Sequence, residues 1–456
     1  MGRGGATVGL DIGTTAVKAV LADDEGRVLG SARVPHAVGR PFPGAFEHDV
    51  DAVWRAGVLD ALAAAVDAAR VPVAGVCVAA MVPSLGAVRD DGRAAGPGLL
   101  YGDVRGTHER AEGRPGDSGE LVAFLQWLAA NCPDAAGFWP AQAVANHALC
   151  GRGAIDSTTA VTAHPLFDFT GWDAEVAASA GATSDALPDV VSGTDAVGML
   201  ADRLPAAGAL VAGGTIDALA EQLVAGADDV GDVLVILGTT LITWAVRPGA
   251  AEVPGLWTIP HTAPGRWLAG GPSNAGGLFL DWIRANWGDA DPAAAAVVDP
   301  GDVPVWLPYI RGERTPLHRT DLRASVHGLS LAHRPGHLRR AAYEASGFVV
   351  RHHLDLAAGA GEGGGRPARI VATGGGVRDG AWVQAIADVT GLPVDVVAVP
   401  EGAALGAAFV ARCTAGLEEA MTDARRWARI ARTVEPRPDW VEACSARYDR
   451  FRALQP

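Results

Sequence analysis

Lysine is almost absent from the sequence, because Lys18 is the only one and arginine supplies every other cationic aliphatic side chain. The abundance of alanine, glycine and arginine accounts for this bias, so the scarcity of lysine alone carries no functional message. Basic charge is also in deficit: 37 Lys and Arg face 52 Asp and Glu, which gives a formal net charge of −15. Binding to nucleic-acid phosphates requires a basic face, so this balance predicts no nucleic-acid partner.

Cysteines and long apolar runs are scarce as well. The five cysteines show neither a CxxC pair nor a metal-ligand spacing, which favours a reducing compartment. No uninterrupted run of about 18 apolar residues is present, and Asp11 follows the start too closely for a secretion signal. We therefore expect a cytoplasmic protein that does not bind a membrane. The sequence leaves the oligomeric state open, with a homodimer as one option.

The chain of 456 residues is too long for one ordinary core and predicts two domains of about 200 residues each. Apolar segments on both sides of a GTT turn at 13–15, and a third after a DEG turn at 24–26, predict three antiparallel strands. A helix over 51–69 and a buried strand over Val73–Met81 should follow. LVILGTTLITWAV at 234–246 repeats the strand–GTT–strand pattern, which favours a duplicated domain with a cleft between the copies.

The remainder of the second half predicts mostly helices. Helical spacing covers 338–356 and 382–390, and ARIVATGGG at 368–376 is typical of a strand that ends in a glycine turn. The glycine-rich residues 359–366 predict a surface loop. Arginines with interspersed acids over 425–452 predict a solvated helix, and a helical tail is expected from about Pro438 to Gln455.

The first GTT turn follows Asp11 and leads into a strand, so it is not a P-loop. Such a hairpin can still bind phosphate, because Gly13 lets the backbone approach while N–H groups and the hydroxyls of Thr14 and Thr15 form an anion-binding concavity. Asp11 is suited to hold Mg²⁺ through water beside phosphate oxygens. An ordinary hairpin with a solvated acid explains the same residues, and at this level both interpretations stay open.

Several separated stretches carry further motifs in a definite order. They are LDIGTTAVKAVLADDEGRVL, GGTIDALAEQLVAGADDVGDVLVILGTT, WLPYIRGERTPLHRTDLRASVHGLSLAHRPGHLRRAAYEA, IVATGGGVRDGAWVQAIADVTGLPV and PEGAALGAA. In this order they resemble the first phosphate motif, the catalytic-aspartate stretch with the second phosphate motif, the C-terminal signature, the adenosine region and its following helix in the FGGY carbohydrate kinases. That family includes xylulose, gluconate and glycerol kinases and belongs to the actin/hexokinase/Hsp70 superfamily.

The resemblance implies an α/β fold of two ribonuclease-H-like, actin/hexokinase-type domains with an interdomain cleft. Residues 1–208 would form the N-terminal domain, which binds the sugar and carries the first phosphate hairpin. Residues 209–456 would form the C-terminal domain, which binds ATP, carries the catalytic aspartate and ends in the helical tail. The implied cofactors are ATP and Mg²⁺.

The same resemblance makes Asp217 the general base for the acceptor hydroxyl, a role that phosphoryl transfer to an alcohol requires. An aspartate between a strand and a helix is also a favoured helix cap, and the two roles can coexist. Asp11 is the implied metal-side acid. The positions implied for nucleotide binding are Asp11, Gly13, Thr14, Thr15, Lys18, Gly238, Thr239, Gly277, Asp281, Gly375 and Asp379. Tight packing remains the alternative for the glycines, and simple solvation remains the alternative for Lys18.

The sugar side departs from the family pattern. Where members similar to xylulose kinase carry Gln-Met-His-Gly, this chain has VPSL at 82–85, so no charged clamp and no histidine is available. The family's Trp-Asn-Asp-x-Arg appears as YGDVR at 101–105, in which Asp103 either touches the sugar or pairs with Arg105. The implied substrate-binding residues are Pro83, Ser84, Tyr101 (an aromatic wall), Asp103 and Asp217.

The predicted function is ATP-dependent phosphorylation of a hydroxyl on a small sugar or polyol, with a ketopentose such as xylulose as the first choice. One alternative keeps the scaffold and changes the substrate to another polyol or an aldonate. The other alternative is a non-catalytic, nucleotide-binding regulator, which the altered sugar-side loop would fit. The presence of Asp217 argues against a regulator, because a protein without turnover has no chemical need for a general base.

Overall fold

A computed structural model of the chain describes residues 5–69, 71–106, 120–168, 170–261, 265–287, 298–359 and 367–456. The chain divides into two compact units, Met1–Val224 with Glu401–Trp427 and Ala225–Pro400 with Ala428–Pro456. The predicted division between residues 208 and 209 stays a prediction, and the predicted surface loop at 359–366 lies, apart from its first residue, outside the described residues. Within those residues no helix is both long and apolar enough to span a membrane.

The strands are β1 (Ala6–Ile12), β2 (Ala16–Ala22), β3 (Val28–Pro35), β4 (Glu47–His48), β5 (Val73–Ala80), β6 (Ser84–Val88), β7 (Ala94–Leu100), β8 (Gly137–Trp139), β9 (Ala154–Asp156), β10 (Asp189–Val191), β11 (Ala196–Met199), β12 (Leu210–Ala212), β13 (Thr215–Ile216), β14 (Asp232–Leu237), β15 (Leu241–Arg247), β16 (Trp257–Pro260), β17 (Trp267–Ser273), β18 (Val305–Leu307), β19 (Ser325–His327), β20 (Arg369–Thr373), β21 (Val394–Val397) and β22 (Ile430–Val434). The α-helices are α1 (Val58–Asp67), α2 (Glu120–Asn131), α3 (Ala141–Cys150), α4 (Ser157–Val161), α5 (Ala174–Ser179), α6 (Asp217–Ala225), α7 (Gly277–Trp287), α8 (Pro335–Gly359), α9 (Gly380–Thr390), α10 (Gly402–Thr414) and α11 (Pro438–Leu454). A π-helix, Val50–Gly57, runs into α1, and 3-10 helices span Val104–Gly106, Ser184–Ala186, Gly375–Arg378 and Met421–Trp427.

The main sheet of the first unit confirms the predicted antiparallel start and crossover. β1, β2 and β3 pair antiparallel in sequence order, and β5 then returns to pair in parallel with β1. Within the described residues the full order is β11-β12-β5-β1-β2-β3, with β13 continuing alongside β5. A second sheet of this unit has the order β4-β7-β6-β8.

The main sheet of the second unit repeats the same scheme. β14, β15 and β17 pair antiparallel, and β20 and β21 follow in parallel beside β14, so the order is β16-β17-β15-β14-β20-β21-β22. Each unit buries its own apolar core. Three antiparallel strands followed by two parallel strands in both sheets confirm the predicted duplication.

Helix α10 joins the first unit although it lies far along the chain. An added Cβ on Gly9 of β1 would lie 1.8 Å from the carbonyl oxygen of Ala404, and one on Gly406 would lie 1.9 Å from that of Ala220. Only glycine permits backbones to approach so closely. Because α10 touches both β1 and α6, it fixes the helix that begins at Asp217 relative to the sheet.

The prediction of one solvated helix over 425–452 is wrong, whereas the helical tail from Pro438 is confirmed as α11. β22 interrupts the stretch and pairs antiparallel with β21. Arg447 on α11 is buried, and its Nε donates to Oε2 of Glu344 on α8 at 2.7 Å. The interspersed charges of this segment therefore include a buried ion pair, which a charge pattern alone does not distinguish from a solvated face.

Candidate active site

Three parallel strands of the first unit end at the same edge of its main sheet. Ile12 at the end of β1 and Ile216 at the end of β13 both lie opposite Ala80 at the end of β5. The turn at 13–15 and the residue Asp217 follow those strand ends directly. The sheet topology thus brings together two motifs that are about 200 residues apart in the chain, at the kind of edge where α/β proteins bind ligands.

Lys18 and Asp11 form an ion pair within the first hairpin. They lie directly opposite each other on β1 and β2, and Nζ of Lys18 donates to Oδ2 of Asp11 at 2.9 Å. The charge of Asp11 is the main cause that raises the pKa of Lys18 above its ordinary value, while burial opposes the rise and Glu221 and Glu401 support it. Lys18 is therefore bound to the predicted metal-side acid rather than simply solvated, and its contact with phosphate stays a prediction.

The two threonines of the turn have different surroundings. Thr14 is buried, and its hydroxyl hydrogen-bonds to that of Tyr101 at 2.7 Å, whereas Thr15 is exposed. The N–H of Gly13 donates to the carbonyl of Ala16 at 3.1 Å. A Cβ added to Gly13 would lie 3.3 Å from the carbonyl oxygen of Ala16, so a larger residue would press on the backbone of the turn itself.

Asp217 is the first residue of α6, and Oδ1 of its carboxylate accepts the N–H of Ala218 at 2.7 Å. The carboxylate to which the sequence assigns the roles of general base and helix cap thus bonds the first turn of α6. One turn later, Glu221 is buried, and its Oε2 has no hydrogen-bond partner among the described residues. Burial is the main cause that raises the pKa of Glu221 to about 8, Lys18 opposes the rise, and Asp11 and Asp217 add to it. Glu221 was not predicted, although an acid four residues after Asp217 on an apolar helix was a usable signal.

The predicted sugar-side loop is largely enclosed. Ser84 is 1% exposed, and its Oγ accepts the N–H of Ala141 at the start of α3 at 3.2 Å. The carbonyl of Pro83 accepts the N–H of Tyr101 at 3.0 Å. The structure therefore brings Pro83, Ser84 and Tyr101 together, while their contact with a substrate stays a prediction.

Asp103 pairs with Arg105, one of its two predicted possibilities. Nη2 of Arg105 lies 2.6 Å from both Oδ2 of Asp103 and Oε2 of Glu47, and the guanidinium lies over the ring of Trp127. The same Oδ2 accepts the N–H of Phe46 at 2.6 Å. Glu47 was not predicted, because only the long-range pairing of β4 with β7 brings it to this loop.

In the second unit, the second GTT turn and the TGGG turn lie side by side. β14 and β20 run in parallel with Ile236 opposite Thr373, so the turn at 238–240 and the glycines at 374–376 follow neighbouring strand ends. Gly374 has a φ of 86°, and an added Cβ would lie 2.9 Å from the carbonyl oxygen of Leu237. This turn therefore needs glycine for conformation and for close packing.

The start of α7 closes onto the second hairpin. The N–H of Gly277 donates to the carbonyl of Gly238 at 2.9 Å, and the N–H of Leu278 donates to that of Thr239 at 3.0 Å. A Cβ on Gly277 would lie 2.8 Å from the oxygen of Gly238, so tight packing explains this glycine. An added Cβ at Gly238 would lie 3.3 Å from the carbonyl oxygen of Thr240, a tight contact, and one at Gly375 would lie 3.7 Å from Nη1 of Arg378, an ordinary contact.

The two predicted nucleotide-side acids are joined by an arginine that was not predicted. Arg284 donates to Oδ1 of Asp281 at 2.6 Å and to Oδ2 of Asp379 at 2.9 Å. Asp379 also caps α9 by accepting the N–H of Ala381, and it accepts the hydroxyl of Tyr343 at 2.5 Å. The spacing of Asp281 and Arg284 on one helix face was the available signal.

Comparisons with known proteins match almost the whole chain. Residues 6–220 match the FGGY family of carbohydrate kinases, N-terminal domain, and residues 233–415 match the C-terminal domain of the same family. The sequence is 30% identical over 482 residues to a xylulose kinase of Streptomyces coelicolor, which covers 98% of this chain and 95% of the relative. It is 29% identical over 441 residues to a xylulose kinase of Klebsiella pneumoniae, which covers 89% of each chain. The crystal structure of xylulose kinase from Rhodospirillum rubrum superposes with a TM-score of 0.80 at 29% identity over 98% of each chain.

Proposed function

Because the chain belongs to the FGGY family of carbohydrate kinases, and is thus a phosphotransferase that acts on sugar hydroxyls, we propose that it transfers a phosphoryl group from ATP to a ketopentose such as xylulose. The similarity to solved kinases of this family also confirms the predicted actin/hexokinase-type α/β fold. In the proposal, Asp217 is the general base, the first unit holds the sugar and the second unit holds the nucleotide.

The observation that carries the proposal is the shared sheet edge of the first unit. Asp217 and the first GTT turn follow strand ends that lie opposite the same residue of β5, so a base and an anion-binding turn are held on one rigid scaffold. Phosphoryl transfer depends chiefly on alignment and charge stabilisation, which rigid elements provide better than loops. The place of Asp217 at the first residue of α6 also suits a carboxylate, because a helix N-terminus favours negative charge.

The residues of the second unit fit a nucleotide. Gly238 and Gly375 lie in two turns that follow neighbouring strand ends, and Thr239 adds a hydroxyl to the first of them. When bound, ATP supplies the phosphoryl group and Mg²⁺ neutralises charge on its phosphates.

The metal-side proposal rests on a single acid. Among the described residues no group of three or more His, Cys, Asp and Glu side chains is arranged to hold a metal. Mg²⁺ commonly takes one or two carboxylates and completes its shell with water and phosphate oxygens. Asp11 would be the acid on that side, held in place by its ion pair with Lys18.

A second substrate class follows from the sugar-side loop. Ser84 is 1% exposed and already bonded to the start of α3, and residues 82–85 supply no histidine or charged group. This loop departs from the pattern of the family members similar to xylulose kinase, in which Gln-Met-His-Gly stands at these positions. Because the substrate contacts can therefore differ, another polyol or an aldonate is the alternative acceptor.

The test is an ADP-release assay with Mg–ATP and a panel of ketopentoses, polyols and aldonates, each measured against a control without acceptor. We expect the largest value of kcat/KM with a ketopentose. A higher kcat/KM with a polyol or an aldonate would select the alternative. Tight nucleotide binding without stimulation by any acceptor would contradict the proposed function.

A further inference from the structure

A buried histidine contacts the backbone of the first GTT turn. His48 on β4 is 1% exposed, and its Nε2 lies 2.9 Å from the carbonyl oxygen of Thr14. Its other ring nitrogen, Nδ1, lies 3.0 Å from Nε1 of Trp54. A carbonyl only accepts and an indole N–H only donates, so His48 is neutral with its proton on Nε2.

The surroundings of His48 fix this arrangement. Trp54 is fully buried, and its ring occupies the space that a Cβ would need at Gly86 and Gly98, where the nearest approach would be 2.8 and 2.4 Å. The ring of His36 meets that of His48 edge-on, with the ring centroids 4.5 Å apart. Burial lowers the pKa of His48 to about 4, in keeping with a neutral ring.

Both carbonyls at the tip of the turn are bonded to the protein. His48 donates to the carbonyl of Thr14, and the backbone N–H of His36 donates to that of Thr15 at 3.0 Å. Carbonyl oxygens repel phosphate, whereas a turn binds an anion through its N–H groups. A turn whose carbonyls are held by protein donors is therefore preorganised for a phosphate.

The segment from Phe46 to His48 also contacts the predicted substrate-side residues at 101–105. Next to His48, Glu47 binds Arg105, and the N–H of Phe46 binds Asp103. On the far side of the turn, the hydroxyl of Thr14 bonds to that of Tyr101. Three consecutive residues of one short segment thus contact both the predicted phosphate turn and the predicted substrate loop.

We propose that His48 is a positioning residue: by donating to the carbonyl of Thr14 it holds the first GTT turn in its phosphate-binding conformation. Trp54 acts through His48 by fixing which ring nitrogen carries the proton. The inference rests on the proposed function for its ligand, a nucleotide phosphate. It concerns residues that contact the turn and not the reacting groups.

The test compares His48→Phe, which removes the donor, with His48→Gln, whose amide N–H can reach the same carbonyl. His147→Phe is the control, because His147 is a partly buried histidine beside a tryptophan and bonds to Arg55 rather than to the turn. The readouts are the dissociation constant of Mg–ATP measured by calorimetry without sugar, the KM for ATP against kcat, and the thermal midpoint.

We expect His48→Phe to weaken ATP binding by about three- to tenfold, the effect of one lost hydrogen bond. His48→Gln should restore the affinity to within about twofold, since the replaced bond is of the same kind. His147→Phe should leave it unchanged. An unaltered affinity in His48→Phe, or a His48→Gln variant as weak as His48→Phe, would overturn the proposal.

If His48→Phe does not fold, Trp54→Phe carries the comparison. It removes the N–H donor together with part of the buried ring, so the proton of His48 can move to Nδ1 and leave a bare Nε2 facing the carbonyl. ATP should then bind more weakly, and unchanged binding would overturn the proposal. Absence of sugar-stimulated ADP release in the wild type would contradict the proposed function while the affinity measurement still tests His48. Absence of Mg–ATP binding in the wild type would overturn both.

Discussion

Replacing Lys18 by methionine removes the ammonium group and leaves Asp11 charged without its partner. The side chain of Asp11 is 4% exposed, and that of Lys18 is 25% exposed. Removing one partner of a fully buried ion pair costs about 3–5 kcal/mol. Because a quarter of Lys18 reaches solvent, water already screens part of the pair, and we expect Lys18→Met to lower the free energy of unfolding by about 2–3 kcal/mol.

The converse variant should cost less. In Asp11→Asn the amide oxygen can still accept from Lys18, whose ammonium keeps its contact with solvent and the influence of Glu221 and Glu401. We expect a loss of about 1 kcal/mol, typical of a weakened hydrogen bond to a charged group. The double variant should then reveal a coupling of at least about 1 kcal/mol between the two side chains.

Urea unfolding of the four proteins at pH 7 measures these differences. The pKa of Lys18 is raised above 10.5 in the folded state, so the stabilisation is fully present at neutral pH and declines only as pH rises through the raised value. The wild type and Lys18→Met should therefore converge only in strongly alkaline solution. A coupling below about 0.5 kcal/mol, or a larger loss in Asp11→Asn than in Lys18→Met, would show that the two side chains do not stabilise the fold as a buried ion pair.

Three further substitutions test other parts of the account. Gly276→Ala would place a methyl group 2.3 Å from the carbonyl carbon of Thr240, so the second hairpin must shift. The rate of ADP release should fall by about 10²-fold, as expected for a misplacement near 1 Å. Gly380→Ala, where an added methyl group has open space, should keep the wild-type rate. Equal rates in the two variants would contradict this. Glu221→Gln removes an acid whose pKa is about 8 in the folded state, and the wild type therefore loses stability as the pH rises towards this value. The free energy of unfolding of the variant, relative to that of the wild type, should rise from pH 5 to pH 8 and then level off. Urea midpoints that differ by a constant amount over this range would contradict this. Arg105→Lys cannot bind Asp103 and Glu47 in the same forked geometry, and thermal unfolding should show a loss of about 1–3 kcal/mol; an unchanged midpoint would contradict it.

The parts of the fold that could be predicted depend on local signals. Turn residues and apolar runs predict the antiparallel strands around 13–15 and 238–240. The predicted helix over 51–69, followed by a buried strand, indicates the crossover to β5. These features needed no knowledge of distant parts of the chain. The ion pair of Lys18 with Asp11 was not predicted, although the hairpin turn at 13–15 sets the two residues opposite each other.

The parts that sequence reasoning missed depend on long-range packing. Helix α10 returns to the first unit only because Gly9 and Gly406 permit backbone contact, and neither glycine lies in a turn motif. His48 comes to the first turn through the pairing of β4 with β7, which has no periodic signal in a two-residue strand. The arginines after residue 425 have the sequence pattern of a solvated face. The structure shows instead that Arg447 is paired with Glu344 on another helix, which the pattern does not indicate.

The proposal that Asp217 is the general base is tested most directly by kcat for ADP release in Asp217→Asn, compared with kcat in Asp173→Asn. Asp173 caps α5 by accepting the N–H groups of Glu175 and Val176, each at 2.9 Å. Asparagine also caps helices well and both substitutions replace a carboxylate by an amide, so only the first removes the proposed acceptor of the substrate proton. We expect kcat to fall by at least about 10²-fold in Asp217→Asn and to stay unchanged in Asp173→Asn. Turnover near the wild-type value in Asp217→Asn would show that Asp217 is only a helix cap and would contradict the account.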